Sequence, residues 1–138
     1  MSKINSYLTF NGRCREAMDF YQNCFGGKLD MQTFGESPME CAEADKDKIM
    51  HAHLATGDLV LMGSDNYQNV PEEIGNMITL SVNCSSLEEI DQFFNKFAEG
   101  GQVTMPLQDT FWGAKFGMLT DKFGIKWMFN CDLKQAGK

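Results

Sequence analysis

The feature that most constrains this chain is that its second half repeats the pattern of its first. Residues 4 to 10 alternate apolar and polar before Asn11-Gly12, as a half-buried strand does before a turn. From Arg13 to Phe25 the apolar positions Cys14, Ala17, Met18, Tyr21, Cys24 and Phe25 fall on the stripe of an amphipathic helix, stopped by Gly26-Gly27. Lys28 to Phe34, Ile49 to Thr56 and Leu59 to Gly63 then read as strands, the last two joined at Gly57-Asp58, with an aperiodic loop over 35–48. After a polar connection the pattern restarts. Ile78, Leu80 and Val82 alternate with Thr79 and Ser81, and Ser86-Leu-Glu-Glu89 is a capping box that opens a helix carrying Leu87, Ile90, Phe94 and Phe97, closed by Gly100-Gly101. Gln102 to Met105, Ala114 to Leu119 and Ile125 to Phe129 complete three more strands. Phe10-Asn11 echoes Val82-Asn83, Phe20-Tyr21 echoes Phe93-Phe94, and Gly26-Gly27 echoes Gly100-Gly101.

A βαβββ unit of this size cannot bury both faces of its sheet, so the expected organisation is one domain of two repeats sharing a core. The first module spans 1–65, a connection 66–76, the second module 77–133 and a tail 134–138. With 138 residues the chain has no room for a large multidomain enzyme. Nineteen acidic against twelve basic residues give a net charge of -7, which argues against nucleic acid or an anionic membrane surface as partner. The apolar stretches are too short to span a bilayer, and the N-terminus opens on a strand pattern rather than a leader, so the expectation is a cytoplasmic protein without a membrane partner. Five cysteines, an odd number with no CxxC pair, read as buried or free thiols rather than as a disulfide framework or a zinc site.

Side-chain alternation sorts the strands into two faces, since the helices must cover the more apolar one. Ile4, Leu8 and Phe10 then lie under the first helix, leaving Asn5, Tyr7 and Thr9 opposite. Ile78, Leu80 and Val82 leave Met77, Thr79 and Ser81. Met50, Ala52 and Leu54 share the helix side, so the only two histidines, His51 and His53, share the other. Leu59 and Leu61 oppose Val60, Met62 and Ser64, while Ile125, Trp127 and Phe129 oppose Lys126, Met128 and Asn130. If the sheets curl around a common interior, Asn5, Tyr7, Thr9, His51, His53, Met62, Met77, Thr79 and Met128 line a groove of mixed polarity, suited to a small organic molecule. A solidly packed interior accounts for the same pattern. Gln108 and Trp112 join the candidate ligand-binding set because Phe111-Trp112-Gly113 reads as a loop able to place an aromatic lid, or equally an interface contact.

The motifs Tyr-Leu-Thr-Phe-Asn-Gly at 7–12, Phe25-Gly26-Gly27, His51-Ala52, Met62-Gly-Ser-Asp65, Asp109-Thr-Phe-Trp-Gly113 and Asp121-Lys-Phe-Gly124 through Trp127-Met128 resemble the PhnB-like branch of the glyoxalase/bleomycin resistance/dioxygenase, or vicinal oxygen chelate, superfamily. The resemblance covers nearly the whole chain. It implies an α+β fold in which two paired βαβββ modules form a cup-shaped, mostly antiparallel sheet with the helices outside, a homodimer, and a ligand site in each cup. In the superfamily's enzymes a His/Glu set on the first and last strands of the modules holds a divalent metal. Carried over by strand position, those slots fall on Asn5 or Tyr7, Met62, Met77 or Thr79, and Met128. None is an imidazole or a carboxylate, so no metal and no cofactor are expected there.

His51 and His53, with Cβ atoms roughly 6.5 to 7 Å apart on one strand, leave open a displaced metal site serving a lyase, isomerase or dioxygenase. Against that, Asp58 reads as a turn residue and Glu40, Glu43 and Asp45 as loop residues, so no carboxylate is expected on the histidines' face. A non-catalytic interaction module is a further alternative. Ten methionines suit core gap-filling or a ligand-facing patch better than Cu(I) ligation, and no cysteine sits in an activated setting. Similar proteins are sometimes labelled ubiquinone-pathway methyltransferases, but a Gly-rich turn between a parallel strand and a helix, which an adenosyl cofactor needs, is missing from this sequence.

Overall fold

The computed structural model describes residues 2–38, 40–66 and 75–133, and their contacts divide the chain into two units, 1–73 and 74–138. In the first, β1 (Ser6–Phe10), α1 (Cys14–Phe25), β2 (Lys28–Thr33), β3 (Ile49–Thr56) and β4 (Leu59–Asp65) follow one another. The strands hydrogen-bond in the order β1-β4-β3-β2, with β1 parallel to β4 and the other neighbours antiparallel. The second unit repeats this with β5 (Leu80–Cys84), α2 (Leu87–Ala98), β6 (Gln102–Asp109), β7 (Ala114–Thr120) and β8 (Lys126–Asp132), in the order β5-β8-β7-β6. Each unit is therefore a four-stranded mixed sheet with one helix on one face, the expected βαβββ arrangement of an α+β fold. Most of the expected connection (67–74) and the tail (134–138) lie outside the described residues.

Both helices bury the stripe that their periodicity marks. On α1, Cys14, Ala17, Met18 and Tyr21 are wholly buried; on α2, Ile90 and Phe97 are, with Phe94 nearly so. Phe94 and Phe97 meet Phe129 of β8 edge-on at centroid distances of 5.8 and 5.2 Å. The glycine pair after each helix is a packing requirement as well as a stop. Gly27 holds φ +91°, and a Cβ there would lie 2.5 Å from the Ala55 carbonyl oxygen on β3. Gly101, its counterpart after α2, is pressed against the Thr120 carbonyl of β7 in the same way.

Several expectations need correction. The first strand begins at Ser6 rather than Ile4, and the fifth at Leu80 rather than Ile78; alternation assigns Ile4 and Ile78 to the core, yet they are exposed, because among the described residues no strand pairs with them. Asn5, Met77 and Thr79 consequently lie outside the strands. Alternation puts Met50 on the helix side, yet the pairing passes from Gln32↔His51 to Thr33↔Ile49 and skips it. This bulge resets the alternation, so that Ile49 is fully buried and Met50 only half-buried. The strand expected to end at Met105 continues to Asp109 through two irregularities in its pairing. One lies around Pro106, which has no N–H to give to a ladder. Register also shifts the internal match: Phe10 pairs with Asp65 and Cys84 with Cys131, so Phe10 corresponds to Cys84 rather than to Val82.

Two buried carboxylates, Asp65 and Asp121, account for three of the motifs that carry the resemblance, those at 7–12, 62–65 and 121–128. Asp65, at the end of β4, accepts hydrogen bonds on Oδ1 from the Gly12 and Cys14 N–H groups and on Oδ2 from the Ile49 N–H, each at 2.9 Å. It caps α1 from across the sheet because Arg13, the residue before the helix, has ψ 11° and makes no side-chain cap. In the second unit Ser86 is extended, its Oγ accepts from the Glu89 N–H at 3.0 Å, and the Glu89 carboxylate accepts from the Ser85 N–H at 3.0 Å. Asp121 then does for a turn what Asp65 does for a helix. Its Oδ1 accepts from the Phe123 and Ile125 N–H groups at 2.8 and 3.0 Å, and its Oδ2 from Trp127 Nε1 at 2.9 Å. The Asp-Lys-Phe-Gly-x-x-Trp segment is thus a structural motif.

Candidate functional site

The faces of the two sheets that carry no helix hold most of the candidate residues. In the first unit their orientation follows from Gly63, where a Cβ would meet Cys14 Sγ and Met18 Sδ of α1 at 3.5 Å. Met62 and Ser64, its neighbours on β4, therefore point the other way. Tyr7 pairs with Met62 and Met62 with His53, so these side chains form a row across three strands, and Thr9 and His51 lie on the same face. Tyr7 is 47% exposed, and its hydroxyl lies 3.3 Å from His51 Nδ1, with the rings 5.9 Å apart. The phenol thus reaches over β4 to the histidine strand. Either group is the donor, according to the imidazole tautomer.

A residue overlooked in the sequence completes this row. Asp30 on β2 pairs directly with His53, and Gln32 with His51. The expectation that no carboxylate shares the histidines' face is therefore wrong. In the sequence Asp30 shows only as a polar position alternating with Leu29 and Met31; its place beside His53 emerges from the β2–β3 pairing. Among the described residues no group of three or more His, Cys, Asp or Glu side chains is placed to hold a metal ion. The slots carried over from the superfamily's enzymes do not fit one either. Met62 and Met128 offer thioethers, Asn5 an amide outside the strand, Tyr7 a phenol hydrogen-bonded to His51, and Met77 and Thr79 lie in the segment before β5. Such donors do not make a site for a borderline or hard divalent cation.

In the second unit a Cβ on Gly117 would meet Phe94 of α2 at 2.7 Å, so Phe116 and Met118 point away from the helix. Met128 pairs with Met118 and with Ser81, placing this candidate on the helix-free face. Gln108 pairs with Phe116 from the edge strand. Trp112 sits at the tip of the β6–β7 turn, which is closed by the Thr110 N–H donating to the Ala114 carbonyl at 2.8 Å. It is 56% exposed and meets Phe116 edge-on at 5.7 Å, with Phe111 beyond it. The loop expected to carry these aromatics is thus a tight hairpin.

Cys14, Cys24, Cys84 and Cys131 are buried, and Cys41 is half-buried. Burial, reinforced by Asp65, pushes the Cys14 thiol up to about 12. Burial, reinforced by Glu89, does the same for Cys84. Neither is a ready nucleophile at neutral pH.

Two βαβββ modules, each a mixed sheet backed by one helix, define the class. The chain belongs to the glyoxalase/bleomycin resistance protein/dioxygenase superfamily, whose family model matches residues 3–129, and within it to the PhnB-like branch. It is similar to the crystal structure of protein PA1353 from Pseudomonas aeruginosa, with 50% identity, 96% of this chain and 98% of that one covered, and a TM-score of 0.87. The PhnB protein from Bacillus cereus shares 29% identity over 94% of this chain and 99% of its own, with a TM-score of 0.76. Protein YjdN of Escherichia coli K12 is 30% identical, with 92% of this chain and 93% of that protein covered.

Proposed function

We propose that this protein binds a small organic molecule on the helix-free faces of its modules, without the superfamily's metal-ligand set. The observation that carries this reading is the row of Tyr7, Met62 and His53, with His51 hydrogen-bonded to the Tyr7 hydroxyl. A thioether, two imidazoles, a phenol and the neighbouring Asp30 and Gln32 combine apolar contact with donors and acceptors on one surface. That is the composition by which small organic ligands are oriented. The exposure of Tyr7 and His51 supports the reading, since a residue needed only for packing has no reason to leave a phenol in solvent. The reading carries with it a homodimer in the cytoplasm.

The test is an NMR titration of the whole protein, labelled at histidine and methionine methyl positions, with a chemically mixed library of neutral and anionic fragments. Saturable shifts at His51, His53 and Met62, weakened by Tyr7→Phe or His51→Ala, support the proposal. A library in which no member moves these signals or the Met128 methyl overturns it. Light scattering on the same sample reads the oligomeric state.

A further inference from the structure

The helix-free face of the second module differs from the first in chemistry. Its register aligns Asn83, Asn130, Phe116 and Gln108 in one row across all four strands. The adjacent row is Ser81, Met128, Met118 and Met105. Neither row carries a charged side chain, although the chain as a whole has a net charge of -7. Phe116, Met118, Met128 and Asn130 are half-buried, so their surfaces are held in place yet reachable. Trp112 stands edge-on to Phe116 at the end of the amide row.

We infer that this face selects a neutral, planar heteroaromatic molecule. The geometry assigns two tasks to two rows. Three aligned thioethers make a polarizable, apolar bed on which a flat ring lies with sulfur against its π-surface. The amide row beside it offers both donors and acceptors along the ring's edge. Trp112 and Phe116 border the ring at right angles, an arrangement that aromatic pairs favour. An anion is disfavoured because Lys126, which shares this face one row beyond Met128, donates to Asn76 and leaves the two rows themselves without a cation to compensate its desolvation. A saturated ring is disfavoured because it lacks the flat face and the π-system that the thioether bed complements.

This inference rests on the small-molecule reading above and narrows it to one ligand class. Its test uses indole-3-carboxamide and its anionic counterpart indole-3-carboxylate, which share a ring and differ in charge. With methionine-methyl-labelled protein, the amide is expected to shift the Met105, Met118 and Met128 signals. The carboxylate should bind more weakly by about tenfold or more, the scale of one mismatched polar contact in a buried site. Gln108→Ala, on an exposed position of the edge strand, and Asn130→Leu should each weaken the amide several-fold without moving the melting temperature by more than a few degrees. Equal binding of both compounds, or amide binding that leaves these three methyl signals unmoved, overturns the inference. The broader reading would survive that result if other fragments still moved the histidine-bearing face.

Discussion

Replacing Asp65 by Asn tests the account of how the first module is held together. The carboxylate accepts three backbone N–H groups at 2.9 Å, two on one oxygen and one on the other, and is only 4% exposed. An asparagine keeps one acceptor oxygen. If it faces Gly12 and Cys14, the amide NH2 is turned towards the Ile49 N–H, and two donors confront each other in the interior. One charge-assisted hydrogen bond is lost and two become neutral, which together costs about 3 kcal/mol. For a chain of this size that corresponds to a fall in Tm of roughly 10 °C. Urea and thermal unfolding followed by far-UV circular dichroism would measure it. Asp58→Asn in the exposed β3–β4 turn is the control and should stay within about 0.5 kcal/mol. A D65N protein within about 1 kcal/mol of wild type would refute the claim that this side chain supplies the missing cap of α1.

Asp121→Asn should cost about 2 to 3 kcal/mol by the same reasoning, and it should also alter Trp127 emission, because the indole N–H donates to that carboxylate. Gly27→Ala should cost more than about 3 kcal/mol, since it combines a left-handed backbone with a Cβ driven into the Ala55 carbonyl; denaturant midpoints would show it. Stability should decline as pH rises from about 9 to about 12. Cys14 and Cys84 keep their protons to about 12 in the folded chain, so the unfolded chain, which gives them up from 9.0, binds fewer protons over that window. Below that window both states are protonated and this term is constant. Cys14→Ala should flatten the alkaline limb in pH-dependent unfolding, whatever its effect near neutrality.

Much of the fold was legible because periodicity is a local signal and the two halves state it twice. The stripe from Cys14 to Cys24, the Ser86 capping box and the double glycines each follow from sequence neighbours alone. What was not legible depends on which strands become neighbours. Ile4 and Ile78 continue an alternating pattern beyond the point where any strand pairs with them, so parity without a partner sent them to a core that is not there. The Met50 bulge is a property of the β2–β3 ladder and has no signature in a single strand.

The candidate site divides in the same way. Alternation correctly put Tyr7, His51, His53 and Met62 on one face, whereas Asp30 was missed because its meaning arises only when β2 is laid beside β3. The two halves also show why a repeat need not repeat its chemistry. Register makes Cys131 the counterpart of Asp65, since each pairs with the last residue of the module's first strand. A carboxylate buried at Cys131 would find its capping role already taken, because Ser86 and Glu89 satisfy the start of α2 from within its own sequence. The first module has no such local cap and takes its acceptor from the end of β4, the strand beside β1. The helix-free faces differ too, one carrying Asp30, His51 and His53 and the other the thioethers and amides around Met118 and Asn130. On the reading proposed above, a ligand suited to one of these faces meets different chemistry on the other.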